Sequence, residues 1–277
     1  MRLLSGHLIA GLLVSLLGLP ATYGQSGYDL YGNARATGLG YASTALTTSA
    51  GPHANPAASA LHEKRTVTFY ARESYGLSLL RYGAVQGTWP MKWGVVAVGG
   101  GTFGGEAYRE IHYTVGYARG LTFGTSRQIQ IGLRARYYNT QIDEYGGAGA
   151  LGLHAGILVP LLPTVHFGVH VTNVNEPALV DGEALPQTLS VGLQYRVNQQ
   201  VFVVTDVFKE LEFPASVRGG LEVRPVSSLA LRAGITTTPT RFTGGAGVRL
   251  GGIRAHVAAE QHPDLGWSPA ASLELRW

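Results

Sequence analysis

Two groups of side chains in this sequence could do chemistry. The first is a set of arginines, Arg72, Arg134, Arg136, Arg196, Arg218, Arg232, Arg249, Arg254 and Arg276, that fall on the polar phase of alternating segments. Glu110, Glu222, Glu260 and Glu274 share that phase. Side chains two residues apart in an extended chain share a face. If that face lines an enclosed interior, the arginines form either a basic passage that favours anions or a ladder of Arg–Glu pairs that fills the interior and ties strands together. The ladder is the preferred reading. The second group is His154, His166 and His170, also on the polar phase, where two or three imidazoles could hold zinc or copper. A turn centred near Leu162 would set His154 opposite His170. No carboxylate completes a set within that hairpin, so we expect polar filler and no metal site.

The sequence contains no Cys, which removes thiolate nucleophiles, Cys-ligated zinc and iron–sulfur clusters from consideration. No phosphate-cradling loop or paired-carboxylate motif stands out, no Ser accompanies the histidines at matching depth, and no enzyme or cofactor is expected. The formal charge of +4 is too small and too evenly spread to argue for nucleic acid.

These residues must be positioned by strands. From Arg65 onward apolar and polar residues alternate, as in Val67, Phe69 and Ala71 against Thr66, Thr68, Tyr70 and Arg72. Turn signals divide the chain into strands near 65–75, 77–89, 93–103, 107–119, 127–141, 147–160, 164–174, 187–197, 200–209, 216–225, 228–237, 241–251, 252–261 and 267–277. The run Val201 to Val204 is apolar on both phases and makes 200–209 the least regular of them. About fourteen strands of about ten residues suit a transmembrane antiparallel up-and-down β-barrel. The polar phase is Gly, Ser, Thr, Gln, His and Arg with few Lys, which suits a crowded lumen better than a solvated surface.

The two ends of the chain carry sorting features. Arg2, the apolar stretch Leu8 to Leu19, Pro20 and Thr22-Tyr23-Gly24 read as a signal peptide over 1–24, with export to the bacterial outer membrane. At the other end Leu273, Leu275 and Trp277 share one face of the last strand and the sequence stops at the Trp, as in the signal read by barrel-assembly machinery. Turns after even-numbered strands are short, for example Pro90-Met91-Lys92, Asn198-Gln199 and Gly251-Gly252. The longest loop, Asn175 to Pro186, follows an odd strand, and Gly120 to Ser126 is an exception.

Residues 25–64 do not alternate for long. Gly32 to Gly40 is rich in small residues, and Pro56 restricts Asn55 to an extended or turn conformation. We expect this segment to fold into the lumen of a barrel over 65–277 as a plug or hatch, with Arg35, Asn55, Pro56 and Ala57 as its gate residues.

The Gly32 to Gly40 opening with Arg35, Ala42 to Ala45, and Asn55-Pro56-Ala57 resembles the N-terminus of PorV/PorQ-like proteins, members of the FadL-type superfamily of fourteen-stranded barrels. Asp206, Arg218-Gly219-Gly220-Leu221-Glu222, Leu231-Arg232-Ala233-Gly234 and His262-Pro263-Asp264-Leu265-Gly266 extend the resemblance. The sequence departs from the pattern at Ala54 and at Thr47-Thr48. The resemblance implies passage of hydrophobic or small solutes through the outer membrane, gated by the N-terminal hatch. Its alternative implication is a PorV-like shuttle or assembly component of type IX secretion that binds secreted protein, and a non-conducting structural barrel is a third. The implied surroundings are outer-membrane lipid and the assembly machinery.

Overall fold

The computed structural model describes residues 32–47, 54–123, 127–144, 146–179 and 184–277. The signal peptide expected at 1–24 lies outside the described residues. Fourteen antiparallel strands close into a barrel in which each strand pairs with its sequence neighbours and β1 pairs with β14. They are β1 Thr66–Glu73, β2 Arg81–Met91, β3 Gly94–Gly104, β4 Tyr108–Phe123, β5 Arg127–Ile142, β6 Gly146–Leu162, β7 Val165–Thr172, β8 Thr188–Arg196, β9 Val201–Glu210, β10 Ser216–Val226, β11 Leu229–Thr236, β12 Arg241–Leu250, β13 Ile253–His262 and β14 Gly266–Arg276. Closure pairs the edge strands, so no row of unpaired backbone groups is left at a sheet edge. Among the described residues no helix is long and apolar enough to cross a membrane.

The strand boundaries expected from the sequence hold within a few residues, with two corrections. β2 begins at Arg81 and not at residue 77, because Ser78–Leu80 forms a 3₁₀ turn. β4 runs on to Phe123, and Gly120 lies within the ladder opposite Gln130. The long turn expected from Gly120 is therefore a short connection, and the exception to the alternation of short turns and longer loops disappears.

The side-chain phases sort as alternation requires. Phe69, Val85, Val98, Val115, Leu133, Leu153, Leu193, Val207, Val217, Leu231, Val257 and Leu273 point outward and are exposed. Thr68, Gln86, Thr114, Arg134, His154, Gln194, Asp206, Glu222, Glu260 and Glu274 point inward and are buried. This is the reverse of a soluble barrel, whose apolar phase would be inside. Exposed aromatics flank the apolar band: Trp93, Tyr195 and Trp277 at the mouth bearing the C-terminus, Tyr108 and Trp267 toward the opposite one. Such girdles mark the two interfaces of bilayer-spanning barrels.

The lumen is occupied. Helix α1, Ala34–Gly38, is capped by Asn33, whose Oδ1 accepts from the Ala36 amide at 2.8 Å. It lies against β11 to β14, whereas the 3₁₀ turn Pro56–Leu61 lies against β3 to β6. The N-terminal segment thus reaches opposite walls of the barrel. It packs through Leu39, Ala42 and Leu46 on Phe202 and Val204, through Ala45 and Ala57 on Leu158, and through Ala34 near Tyr70 and Tyr82. The irregularity at Val201 to Val204 now has its cause: Phe202 and Val204 are apolar yet face inward because the segment covers them. Fully burying Leu39 and Leu46 is worth about 1.5–3 kcal/mol each.

Candidate functional site

Four groups of polar ties fix the segment to the wall, beside single bonds such as Gly40 N to Thr243 Oγ1 at 3.0 Å and Thr47 N to Gln194 Oε1 at 3.1 Å. On β10, Glu222 is fully buried and accepts from Arg35 Nε of α1 and from Arg232 Nε of β11, both at 2.8 Å, with Arg224 Nη2 at 2.7 Å. On β13, the equally buried Glu260 accepts from the Tyr41 hydroxyl at 2.6 Å, from Arg72 at 3.0 Å and from Arg241 at 3.3 Å. Arg72 also donates to the Tyr41 hydroxyl. On β9, one oxygen of Asp206 accepts three bonds: Ser43 N at 2.8 Å, Thr44 N at 2.9 Å and Thr44 Oγ1 at 2.8 Å. Asn55 makes the fourth tie. Its Nδ2 donates to Thr44 O, Ile157 O and Val169 O at 2.9–3.1 Å, and its Oδ1 accepts from Ala57 N.

The wall is shaped to receive this segment. Inward glycines lie beneath its backbone in neighbouring pairs, Gly132 with Gly156, Gly168 with Gly192 and Gly220 with Gly234. A Cβ on Gly156 would collide with Asn55 Oδ1, one on Gly168 with Thr44 O and one on Gly234 with Gly40 N. Segment and wall therefore meet backbone to backbone. The chain must turn sharply after α1, and Gly40 does so at φ 63° against the wall at Gly219 O and Ile235. Tyr41 follows at φ 62°, a conformation that costs a non-glycine residue about 1–3 kcal/mol. Its hydroxyl bond to Glu260 holds it there.

The expected site residues fall into four sets. Arg35, Asn55, Pro56 and Ala57 are brought together with the wall as described, and Arg134 joins them by donating to Ala54 O at 3.1 Å. Arg136 stands over the Tyr138 ring and Arg218 over the Phe208 ring, 3.7 Å from its centroid. Arg232, Glu222 and Glu260 belong to the buried clusters. Arg196, Arg249 and Arg254 share the inward phase but lie at the mouth near the C-terminus; Arg196 and Arg249 are exposed, and Arg254 pairs with Glu274 at 3.5 Å. Inside the barrel, Arg–Glu pairs gather around Glu222, Glu260 and Glu274.

Two readings of the histidines need correction. His154 is not opposite His170, because the β6–β7 hairpin centres near Pro163 and not Leu162, which sets Gly156 opposite His170. The two rings lie diagonally, with centroids 6.5 Å apart, and His166 is half-buried opposite Pro160. A serine does sit at matching depth: Ser190 is the cross-strand neighbour of His170. Its phase was set by the β7–β8 register, which the sequence does not specify. Among the described residues no group of three or more acidic or His side chains could hold a metal ion.

Sequence reasoning left Tyr41 and Arg241 out of the site; it placed Arg72 only among the interior arginines and noted Thr44 and Asp206 only within family blocks. The legible signal was the inward glycines on successive strands, because a row without side chains inside a barrel implies something lying against it. The sequence blocks that carried the family resemblance also converge here. Arg35, Asp206, Glu222 and Arg232 are far apart in the chain and meet at the boundary between segment and wall.

No family model and no curated protein sequence matches the chain. Solved structures do. The monoaromatic hydrocarbon channel CymD is similar at 12% identity over 88% of this chain and 97% of its own, with a TM-score of 0.64. The toluene transporter TbuX of Ralstonia pickettii is similar at 12% identity over 90% and 100%, with a TM-score of 0.64. A FadL homologue of Pseudomonas aeruginosa is similar at 12% identity over 88% and 98%, with a TM-score of 0.55. The likeness is one of fold alone, the closed antiparallel β-barrel.

Proposed function

We propose that the protein is an outer-membrane barrel that passes hydrophobic or small solutes across the outer membrane, with residues 32–64 acting as a plug whose displacement gates the passage. The observation that carries this reading is the sorting of side chains: an apolar exterior around an interior that holds an N-terminal segment tied to the wall by polar bonds and apolar packing. A bilayer requires that exterior and a closed sheet. A segment held by a few polar ties has a second state within reach, which a gate needs. The structural neighbours bear the names of hydrocarbon channels and toluene transporters, which supports solute passage over catalysis.

Export by the 1–24 segment, lipid contact at the apolar band, and insertion by assembly machinery acting on Leu273, Leu275 and Trp277 belong to the same proposal. So does the narrower kinship to PorV/PorQ-like proteins, which rests on the sequence blocks meeting at the plug.

The test is flux through the full-length protein reconstituted in liposomes, using toluene and a small sugar as probes. Wild-type protein should raise the flux of at least one probe above that of protein-free liposomes, and Asn55→Ala should raise it further. Flux at the protein-free level for both proteins sinks the transport reading.

A further inference from the structure

We propose that the cavity at the mouth bearing the C-terminus is a binding site for a small oxyanion, phosphate-like or carboxylate. The cavity has a volume of about 100 Å³ and lies inside the rim formed by β10 to β14. Arg35, Arg224, Arg232, Arg249 and Arg254 line it, with Glu222 and Glu274 as the acids. Those acids are already engaged. Glu222 holds Arg35, Arg224 and Arg232, and Glu274 holds Arg254 and Arg276. Arg249 has no ion pair among the described residues, and positive charge exceeds negative throughout the lining.

A buried donor without an acceptor marks where the ligand would sit. The Arg232 side chain is 2% exposed and spends its Nε on Glu222, while its Nη1 has no hydrogen-bond partner among the described residues. A buried guanidinium N–H left unpaired is costly, and a guanidinium can only donate. His256 Nδ1, beside it, is likewise without a partner. Both atoms overlook Gly247, where a Cβ would lie 2.9 Å from Arg232 Nη1 and would collide with His256 Nδ1. With no side chain at Gly247, both groups come down to the wall at the cavity lining. A charged oxygen there would satisfy Arg232 and offset the excess charge, which a neutral carbonyl would leave and a cation would worsen. This site lies beyond the transport reading and does not depend on it, because binding at the mouth needs no flux.

The experiment is calorimetric titration of full-length protein in uncharged detergent, at fixed ionic strength, with inorganic phosphate and acetate in separate runs and chloride as the blank. Saturation by either oxyanion supports the site and names its class; saturation by neither overturns it. Arg249→Gln, at an exposed position without an ion pair, should weaken binding about tenfold while the barrel stays folded. Gly247→Ala, whose Cβ would push Arg232 and His256 off the wall, should weaken it at least as much. Arg196→Gln, at the rim outside this cavity, should leave the affinity unchanged. Equal affinities in wild type, Arg249→Gln and Gly247→Ala would overturn the assignment even if phosphate binds.

Discussion

Removing the Asp206 carboxylate by Asp206→Ala should release the N-terminal segment from the wall without unfolding the barrel. In the seated state one Asp206 oxygen accepts from the Ser43 amide, the Thr44 amide and the Thr44 hydroxyl. Without it, three donors at a buried site lose their acceptor, each at a cost of about 1–3 kcal/mol. Water entering the space of the lost carboxylate recovers part of this, so about 3–5 kcal/mol should be lost from the seated state relative to the released one. That shifts the equilibrium by roughly two to three and a half orders of magnitude. β9 itself loses no ladder bond, because Asp206 acts through its side chain alone. Hydrogen exchange should report accelerated exchange at Ser43 and Thr44 with the strand amides still protected, and bilayer recordings should show larger or more frequent conductance steps. Asp206→Asn keeps one acceptor oxygen and should fall between the two. Unchanged exchange at Ser43 and Thr44 in a folded Asp206→Ala barrel would refute the reasoning.

Other outcomes follow from the same geometry. Gly156→Val sets a side chain against Asn55 and should expel the Asn55–Leu61 stretch, seen as new protease cleavage there with an intact barrel fragment. Leu133→Arg places a charge on the exposed apolar band and should destabilise the vesicle-embedded barrel by about 2–4 kcal/mol in denaturant unfolding, against less than about 0.5 kcal/mol if that face met water. His62 stands before β1 and is lowered to about 4, first by burial and then by the nearby Arg276. Because its seated value lies below the free one of 6.5, its contribution is complete above pH 6.5 and is lost as pH falls from there to about 4. Amide protection over Pro56–Leu61 should decline in that window, and His62→Gln should flatten the decline. Deleting Trp277 should lower the amount of heat-modifiable barrel in outer-membrane fractions while precursor synthesis continues.

Much of this molecule was legible in its sequence because a strand of period two declares its two faces locally. The phases of Phe69, Leu133 and Leu273 against Thr68, Arg134 and Glu274 fixed which side chains share a wall, and turn residues fixed the strand count. Small residues and Pro56 announced that 25–64 was not part of the sheet. Sequence could not say which wall residue meets which part of that segment, because those contacts join positions far apart in the chain, as Arg35 joins Glu222 and Thr44 joins Asp206. Nor could it set the His154–His170 relation, which turns on where the β6–β7 hairpin centres, or show that Arg232 pairs through Nε while its Nη1 has no hydrogen-bond partner among the described residues. Alternation is a property of neighbours along the chain and survives in the sequence. Partnership across the lumen depends on barrel closure and strand register, which only the folded structure decides.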